Sequence, residues 1–211
     1  MARVLIVEDH PIYRRGIRDI LTANRNFTHV AEAEDAIKAA ELLRRERWDA
    51  IVLDVNLPGK SGLQFLKEVR VVYPKLPVLI LSVYSEEQYA LRMLKAGASG
   101  YLTKNRTPEE LIGALTRLLQ GKKYISASVA EKVLAQLEPG AKKPPHELLS
   151  DREFEVLKLI TQGIPPRDIC LQLCISPSTV ATYRTRLLQK LNFKSNAQLV
   201  QYALANKLFD Q

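Results

Sequence analysis

Across residues 1–121, short apolar runs alternate with amphipathic stretches. The apolar runs cover 4–7, 30–33, 50–53, 78–81 and 100–102. The stretches at 12–21, 36–45, 63–72, 87–95 and 109–119 place apolar residues at helical spacing. Strand then helix, five times over, predicts an α/β fold: a doubly wound five-stranded parallel sheet with helices on both faces. The strands are nearly all apolar, as expected when both faces are buried.

The pattern then changes. One more helix is expected at about 126–137. The run Glu138-Pro139-Gly140-Ala141-Lys142-Lys143-Pro144-Pro145 follows, and it can continue neither a helix nor a strand. We therefore place a linker at 122–146, between a first domain at 1–121 and a second at 147–211. The second domain reads as helical only. Ser150-Asp151-Arg152-Glu153 is a capping box opening a helix that Gly163 ends. Pro165-Pro166 starts a short helix to about Leu173. Ser176-Pro177 starts a third, with Ser as N-cap and Pro at N1. A fourth is expected at about 196–206. This is a small all-α, four-helix domain.

Composition fits two small soluble domains: 211 residues, 46% apolar and 26% charged. The net charge is +8, spread as +3 over 1–121, +3 over 122–146 and +2 over 147–211. A basic balance lowers the cost of approaching a polyanion, although a mildly basic soluble protein has the same numbers. The only cysteines, Cys170 and Cys174, are spaced i, i+4. They read as two small buried thiols in a reducing compartment. Glu8, Asp9 and His10 interrupt the first apolar run, so no signal peptide is expected. No run is long enough to span a membrane. A cytoplasmic protein with no membrane partner is the expectation.

In an open α/β sheet, sites form at the carboxyl ends of the strands. Glu8 and Asp9 follow the first run, Asp54 follows the third, Ser82 ends the fourth, and Thr103 and Lys104 follow the fifth. Three carboxylates, a hydroxyl and an ammonium thus converge on one sheet edge. Three close carboxylates repel, and a hard divalent cation such as Mg²⁺ relieves this. A cation beside a free carboxylate, with Lys104 and a hydroxyl facing inward, suits phosphoryl transfer to that carboxylate. Taken singly, Asp9 or Asp54 could equally cap the next helix.

The ordered set Glu8-Asp9-His10-Pro11, Leu53-Asp54-Val55-Asn56-Leu57-Pro58-Gly59-Lys60-Ser61-Gly62, Leu81-Ser82 and Gly97-Ala98-Ser99-Gly100-Tyr101-Leu102-Thr103-Lys104 resembles the CheY-like receiver domain of two-component response regulators. The resemblance covers 1–121. It implies that Asp54 accepts phosphate from a sensor histidine kinase. Asp9, Asp54 and the Asn56 carbonyl would hold Mg²⁺, with Glu8 behind them. Lys104 would bind a phosphoryl oxygen, and Ser82 and Tyr101 would couple phosphorylation to the surface around the fourth helix and fifth strand. Asn56 and Tyr84 stand where this family tunes phosphate lifetime. His10 is expected to shape the start of the first helix, and His29 and His146 to be solvated.

In the second domain, a short helix, a tight turn at 173–176 and a longer helix form a helix-turn-helix pattern. Val180, Tyr183, Leu187 and Leu191 make one face of the longer helix, expected as core. Ser178, Thr182, Thr185 and Gln189 lie opposite, flanked by Arg184 and Arg186 and followed by Lys190. Such a stripe can enter a major groove, or it can be a solvated face. The segments Leu149-Ser150-Asp151-Arg152-Glu153-Phe154-Glu155-Val156-Leu157, Ile175-Ser176-Pro177-Ser178-Thr179-Val180 and Lys190-Leu191-Asn192 resemble the LuxR-type domain of NarL/FixJ response regulators. Residues 182–191 are similar to a subgroup that includes BvgA and EvgA. Ala181 and Tyr183 depart from the commoner Lys and His.

The resemblance implies a phosphorylation-switched transcription regulator binding double-stranded DNA through Ser178, Thr182, Arg184, Thr185, Arg186 and Lys190. It implies a homodimer, with Leu199, Tyr202 and Ala203 as a dimer seam or as monomer core, and RNA polymerase as a further partner. It implies no enzyme beyond a receiver that assists its own phosphorylation and dephosphorylation. A helical domain that binds a protein instead of DNA is the alternative. A phosphoaspartyl phosphatase is disfavoured, because no further nucleophile or general base lies near the cluster.

Overall fold

The computed structural model describes residues 1–84, 86–135, 144–206 and 208–209. The described chain forms two compact units, Met1–Glu131 and Lys132–Gln211. Residues 136–143, which hold most of the proline-containing run 138–145, lie outside the described residues, as does the end of the helix expected to 137.

The first unit is built on β1 (Ala2–Val7), β2 (Phe27–Ala33), β3 (Ala50–Asp54), β4 (Val78–Ser82) and β5 (Gly100–Thr103). They lie in the order β2-β1-β3-β4-β5, and every pairing is parallel. Between and after them run α1 (Pro11–Thr22), α2 (Ala36–Arg45), α3 (Gly62–Val72), α4 (Glu86–Lys95) and α5 (Pro108–Leu119). One face of the sheet (Val4, Ile6, Val52, Leu79, Leu81, Leu102) packs on Ile17 and Leu21 of α1 and on Leu111, Leu115 and Leu118 of α5. The alternate residues Leu5, Val7, Ile51, Leu53 and Ile80 are also buried, on the other side of the pleat. The doubly wound sheet is as expected. Ser82 ends β4 as expected, whereas Asp54 and Thr103 are the last residues of their strands rather than the first residues after them.

One boundary differs from the sequence reading. Residues 122–124 were expected to open the linker, but Tyr124 is stitched to the edge of β5. Tyr101 N donates to Tyr124 O at 3.1 Å, and Tyr124 N donates to Ser99 O at 3.1 Å. An edge strand leaves unpaired backbone groups, and Tyr124 satisfies two of them. The helix α6 (Ala127–Ala135) follows.

The second unit holds a short 3-10 turn (Pro145–Leu148), α7 (Asp151–Thr161), α8 (Pro166–Leu173), α9 (Pro177–Leu191) and α10 (Asn196–Ala205). The capping box is present: Ser150 Oγ accepts from Glu153 N at 3.4 Å, and Glu153 Oε2 accepts from Ser150 N at 2.7 Å. Leu159, Ile169 and Val180 form a core between α7, α8 and α9.

Several sequence expectations are corrected here. Cys174 is not buried but exposed, and Cys170 is half-buried. Cys174 leaves the helix at φ 52° as the left-handed C-cap of α8, which turns its side chain away from the core. Tyr183 is only half-buried, unlike Val180, Leu187 and Leu191. Leu199 and Ala203 are core of this unit, so they cannot also form a dimer seam. His146 is not a solvated linker residue, because its Nδ1 lies 2.9 Å from Tyr202 Oη. His29 is exposed yet stacked on Trp48, with ring centroids 5.3 Å apart.

Candidate functional site

The strand order reverses between β1 and β3, and this switch point opens a crevice at their carboxyl ends. Glu8 and Asp9 leave β1 there, and Asp54 ends β3. Neither Asp9 nor Asp54 caps a helix. The N-cap of α1 is His10, whose side chain makes no capping bond, and α3 is capped by Ser61. The carboxylates are therefore left for other work.

Asp54 and Glu8 are buried, at 2% and 1% exposure. Lys104, just beyond β5, reaches both: Nζ lies 2.9 Å from Asp54 Oδ2 and 2.7 Å from Glu8 Oε2. Its backbone N donates to Ser82 O at 2.7 Å, which fixes the start of the loop after β5. Asn56 N donates to Asp54 Oδ1 at 3.3 Å. One ligand atom each of Glu8, Asp9, His10 and Asp54 lies within 4.8 Å of the others. A mixed buried and solvent-facing carboxylate set of this size suits a small divalent cation.

The electrostatics follow from burial. Loss of solvent pushes the Asp54 carboxyl up to about 6, and the charge of Glu8 adds to the rise. Lys104 and the Asn56 N–H act against it without restoring the usual value. Burial alone would pull the Lys104 ammonium down, but Asp54 and Glu8 outweigh burial and raise it. Lys104 therefore stays charged, and Asp54 is a carboxylate short of positive charge.

Ser82 and Tyr101 do not bond to Asp54 directly. Both meet Tyr84. Ser82 Oγ accepts from Tyr84 N at 3.1 Å, and Tyr101 Oη donates to Tyr84 O at 2.9 Å. Tyr84 Oη in turn accepts from Asn56 Nδ2 at 2.9 Å, and its ring stacks on Tyr89 of α4 with centroids 4.5 Å apart. Tyr84 thus joins Asn56, Ser82, Tyr101 and α4. From sequence it was only a position linked to phosphate lifetime. Gly62 was legible only as the last residue of a motif, with no role attached. A Cβ there would collide with the Asp54 carbonyl oxygen and stand 2.9 Å from Val55 Cα. Only a close approach of α3 to the acceptor strand explains it, and no sequence signal announces that. Tyr13 was missed: Lys104 Nζ lies 4.7 Å from its ring centroid.

In the second unit, Ser178, Thr182, Thr185, Arg186 and Gln189 lie on exposed positions of α9. Thr182 and Thr185 donate their hydroxyls back to Ser178 O and Ala181 O, at 2.9 and 3.0 Å, which leaves their oxygens able to accept. Arg184 is half-buried, its Nε donating to Asn196 Oδ1 at 2.7 Å. Lys190 Nζ pairs with the buried Glu153 Oε2 at 2.7 Å, so it braces α9 against the start of α7. The exposed stripe is brought together, but Lys190 and Arg184 are already engaged within the unit.

A buried aspartate at a doubly wound switch point, with a helix-turn-helix unit further along the chain, is the plan of a receiver-controlled regulator. Residues 4–116 match the response regulator receiver domain, and residues 147–203 match the luxR family of bacterial regulatory proteins. The chain belongs to the LuxR-type, or NarL/FixJ, family of two-component response regulators, which regulate transcription. It is 34% identical to the oxygen regulatory protein NreC of Staphylococcus epidermidis, over 99% of both chains. It is 32% identical to the response regulator UvrY of Escherichia coli, over 99% of this chain and 96% of that one. Among solved structures, a complex of the response regulator RcsB with DNA is 25% identical with a TM-score of 0.60, covering 97% of this chain and 98% of that one. The response regulator ChrA of a heme-sensing two-component system is 29% identical with a TM-score of 0.52, covering 99% and 98%. No helix among the described residues is long and apolar enough to cross a membrane.

Proposed function

We propose that a sensor histidine kinase phosphorylates Asp54 and that this switches dimerisation and DNA binding by the second domain. The carrying observation is the buried Asp54 carboxylate with Lys104 Nζ 2.9 Å away on an edge open to solvent through Asp9. The kinase's phosphohistidine P–N bond breaks as an Asp54 oxygen–phosphorus bond forms, and the imidazole leaves. Lys104 is placed to neutralise a phosphoryl oxygen. Asp9, Asp54 and the Asn56 carbonyl would hold Mg²⁺, with Glu8 behind them. The ion would supply positive charge for the phosphoryl oxygens. Ser82 and Tyr101 report the new charge through Tyr84 and its stack on α4.

In the second domain, the exposed stripe Ser178, Thr182 and Thr185 is the base-reading surface we infer, with Arg186 on phosphate. Arg184 would reach DNA only by leaving Asn196, and Lys190 supports α9 from Glu153. The structural relative RcsB binds DNA, which supports DNA over a protein as the partner. With Leu199 and Ala203 in the core, the exposed α10 residues Gln201 and Leu204 are the available dimer face. RNA polymerase is the expected partner at a promoter, and the cytoplasm the compartment of both DNA and kinase. The test compares DNA binding of the wild type and Asp54→Ala, each with a small phosphodonor and Mg²⁺. Tighter binding in the wild type alone is expected. An equal response in both removes Asp54 as the switch.

A further inference from the structure

The cation pocket contains one group that the phosphoacceptor chemistry does not use. His10 stands at the N-cap position of α1 but makes no side-chain cap. Its imidazole instead turns back to the carboxylates. Nδ1 lies 2.7 Å from Asp9 Oδ1 and 3.3 Å from Glu8 Oε1. The backbone holds it there, because His10 N donates to Glu8 Oε1 at 3.1 Å. The Tyr13 ring meets it edge-on, with centroids 6.3 Å apart. His10 is 61% exposed, so the ring lies on the solvent side of the carboxylates.

The shorter of the two Nδ1 spacings is a hydrogen bond, and both lie close to the separation of ligands that share an ion. Two donors each about 2.1 Å from one metal stand about 3.0–3.4 Å apart, depending on coordination angle. The His10 nitrogen is 2.7 and 3.3 Å from the two nearest carboxylate oxygens, so a slight opening would seat an ion between them. Asp54 brings a further oxygen within the same 4.8 Å group. The donor set is three carboxylates and one imidazole.

Asp9, Asp54 and the Asn56 carbonyl would suffice for Mg²⁺, which has no need of the imidazole. Magnesium keeps oxygen ligands and water, and gains little from imidazole. Manganese, cobalt and zinc accept mixed nitrogen and oxygen ligands, and zinc prefers them. We propose that His10 Nδ1 becomes a direct ligand when a borderline divalent cation, Mn²⁺ or Zn²⁺, occupies this pocket in place of Mg²⁺, and that it tightens the hold on Zn²⁺ most. The inference rests on the reading of the pocket as the Mg²⁺ site.

Pulsed EPR of Mn²⁺ bound to the full-length protein tests this directly, because nitrogen coupling reports an imidazole ligand. Coupling is expected in the wild type and its loss in His10→Gln, with Mn²⁺ still bound. Zn²⁺ titration by calorimetry should show at least tenfold weaker binding in His10→Gln, with Mg²⁺ affinity changed less than twofold. Asp54→Asn should weaken all three ions, which separates this pocket from His29, His146 and the cysteines. Mn²⁺ bound without nitrogen coupling, or equal Zn²⁺ affinity in His10→Gln, overturns the inference and leaves the Mg²⁺ site standing. Failure of Mg²⁺ and Mn²⁺ alike to bind overturns both.

Discussion

Lys104 Nζ sits 2.9 Å from Asp54 Oδ2, and both side chains are almost fully removed from solvent. The ammonium is the main positive charge opposing the burial of Asp54 and the repulsion from Glu8. Replacing it leaves two buried carboxylates without that partner. In Lys104→Ala the Asp54 carboxyl should rise above about 6. Phosphorylation by a small phosphodonor should slow by about 100-fold, the usual cost of removing one donor to developing charge. Phosphoprotein gel assays over time check this, and a wild-type rate in Lys104→Ala would show that Lys104 does not meet the phosphoryl group. Arginine should not rescue it, because a planar fork cannot replace a point charge in this tight space.

The raised pKa of Asp54 has a stability consequence of definite sign. The folded protein holds this proton more tightly than the unfolded chain, so folding binds a proton as pH rises past 3.8. The associated stability is complete below 3.8 and is lost as pH climbs through about 6. The full effect is at most about 3 kcal/mol. Without divalent cations, the receiver should weaken between those values, and Asp54→Asn should flatten the trend and be more stable near neutral pH. Trp48 is the only tryptophan and is buried in the first unit, so its fluorescence in urea reports this domain alone. A wild type that gains stability over the same pH range would contradict the assignment.

Gly62 should tolerate no side chain. Its missing Cβ makes room for the Asp54 carbonyl, and Val55 Cα is 2.9 Å from where the Cβ would be. The clash is with backbone, which cannot swing aside. Gly62→Ala should cost about 3 kcal/mol, in the range of severe overpacking, and should displace the acceptor. The Trp48 urea midpoint should fall together with the phosphorylation rate. A midpoint unchanged within error would mean that α3 shifts freely.

Much of this was legible in the sequence. The alternation of apolar runs and helical stretches named the sheet, because buried parallel strands must be apolar and their helices amphipathic. Glu8, Asp9, Asp54, Ser82 and Lys104 were legible because strand ends in such a sheet share one edge. Contacts made by the backbone or across long separations were not. Tyr84 receives Ser82, Tyr101 and Asn56, but two of these meet its main chain, which carries no residue signature. Lys190 read as a phosphate contact because its partner Glu153 is 37 residues away. Leu199, Tyr202 and Ala203 were left open between dimer seam and core because a helix shows its apolar face in sequence without showing what covers it, and Leu199 and Ala203 are covered within the unit.

Glu153 links two devices, the capping box of α7 and the brace to α9. Burial pushes its carboxyl up, but bonds from Lys190 and Ser150 outweigh burial and hold it below the usual range. A lowered folded pKa gives stability that is present above the ordinary value of 4.5 and is lost as pH falls through the lower folded value. Glu153→Ala removes both contacts. The loss should be about 2 kcal/mol, from a cap of about 1 kcal/mol and a charged bond discounted for the half-exposed Lys190. Circular-dichroism melts of the full chain should show it, with the Trp48 signal unmoved. A shift in both signals would place the effect outside the second unit.

Arg186 and Lys190 separate reading DNA from supporting the reader. Arg186 is exposed on α9 and free to meet phosphate, whereas Lys190 is held 2.7 Å from Glu153. Each phosphate contact contributes about 0.9 to the slope of log affinity against log salt. Arg186→Ala should therefore flatten that slope by about 1 per bound copy and weaken binding on any sequence. Lys190→Met should leave the slope nearly unchanged and weaken binding through the loss of the brace, with a lower melting temperature of the second unit. Fluorescence anisotropy with a labelled duplex at several salt concentrations measures both. If Lys190→Met flattens the slope as much as Arg186→Ala does, Lys190 leaves Glu153 for the phosphate on binding, and the brace is a property of the free protein only.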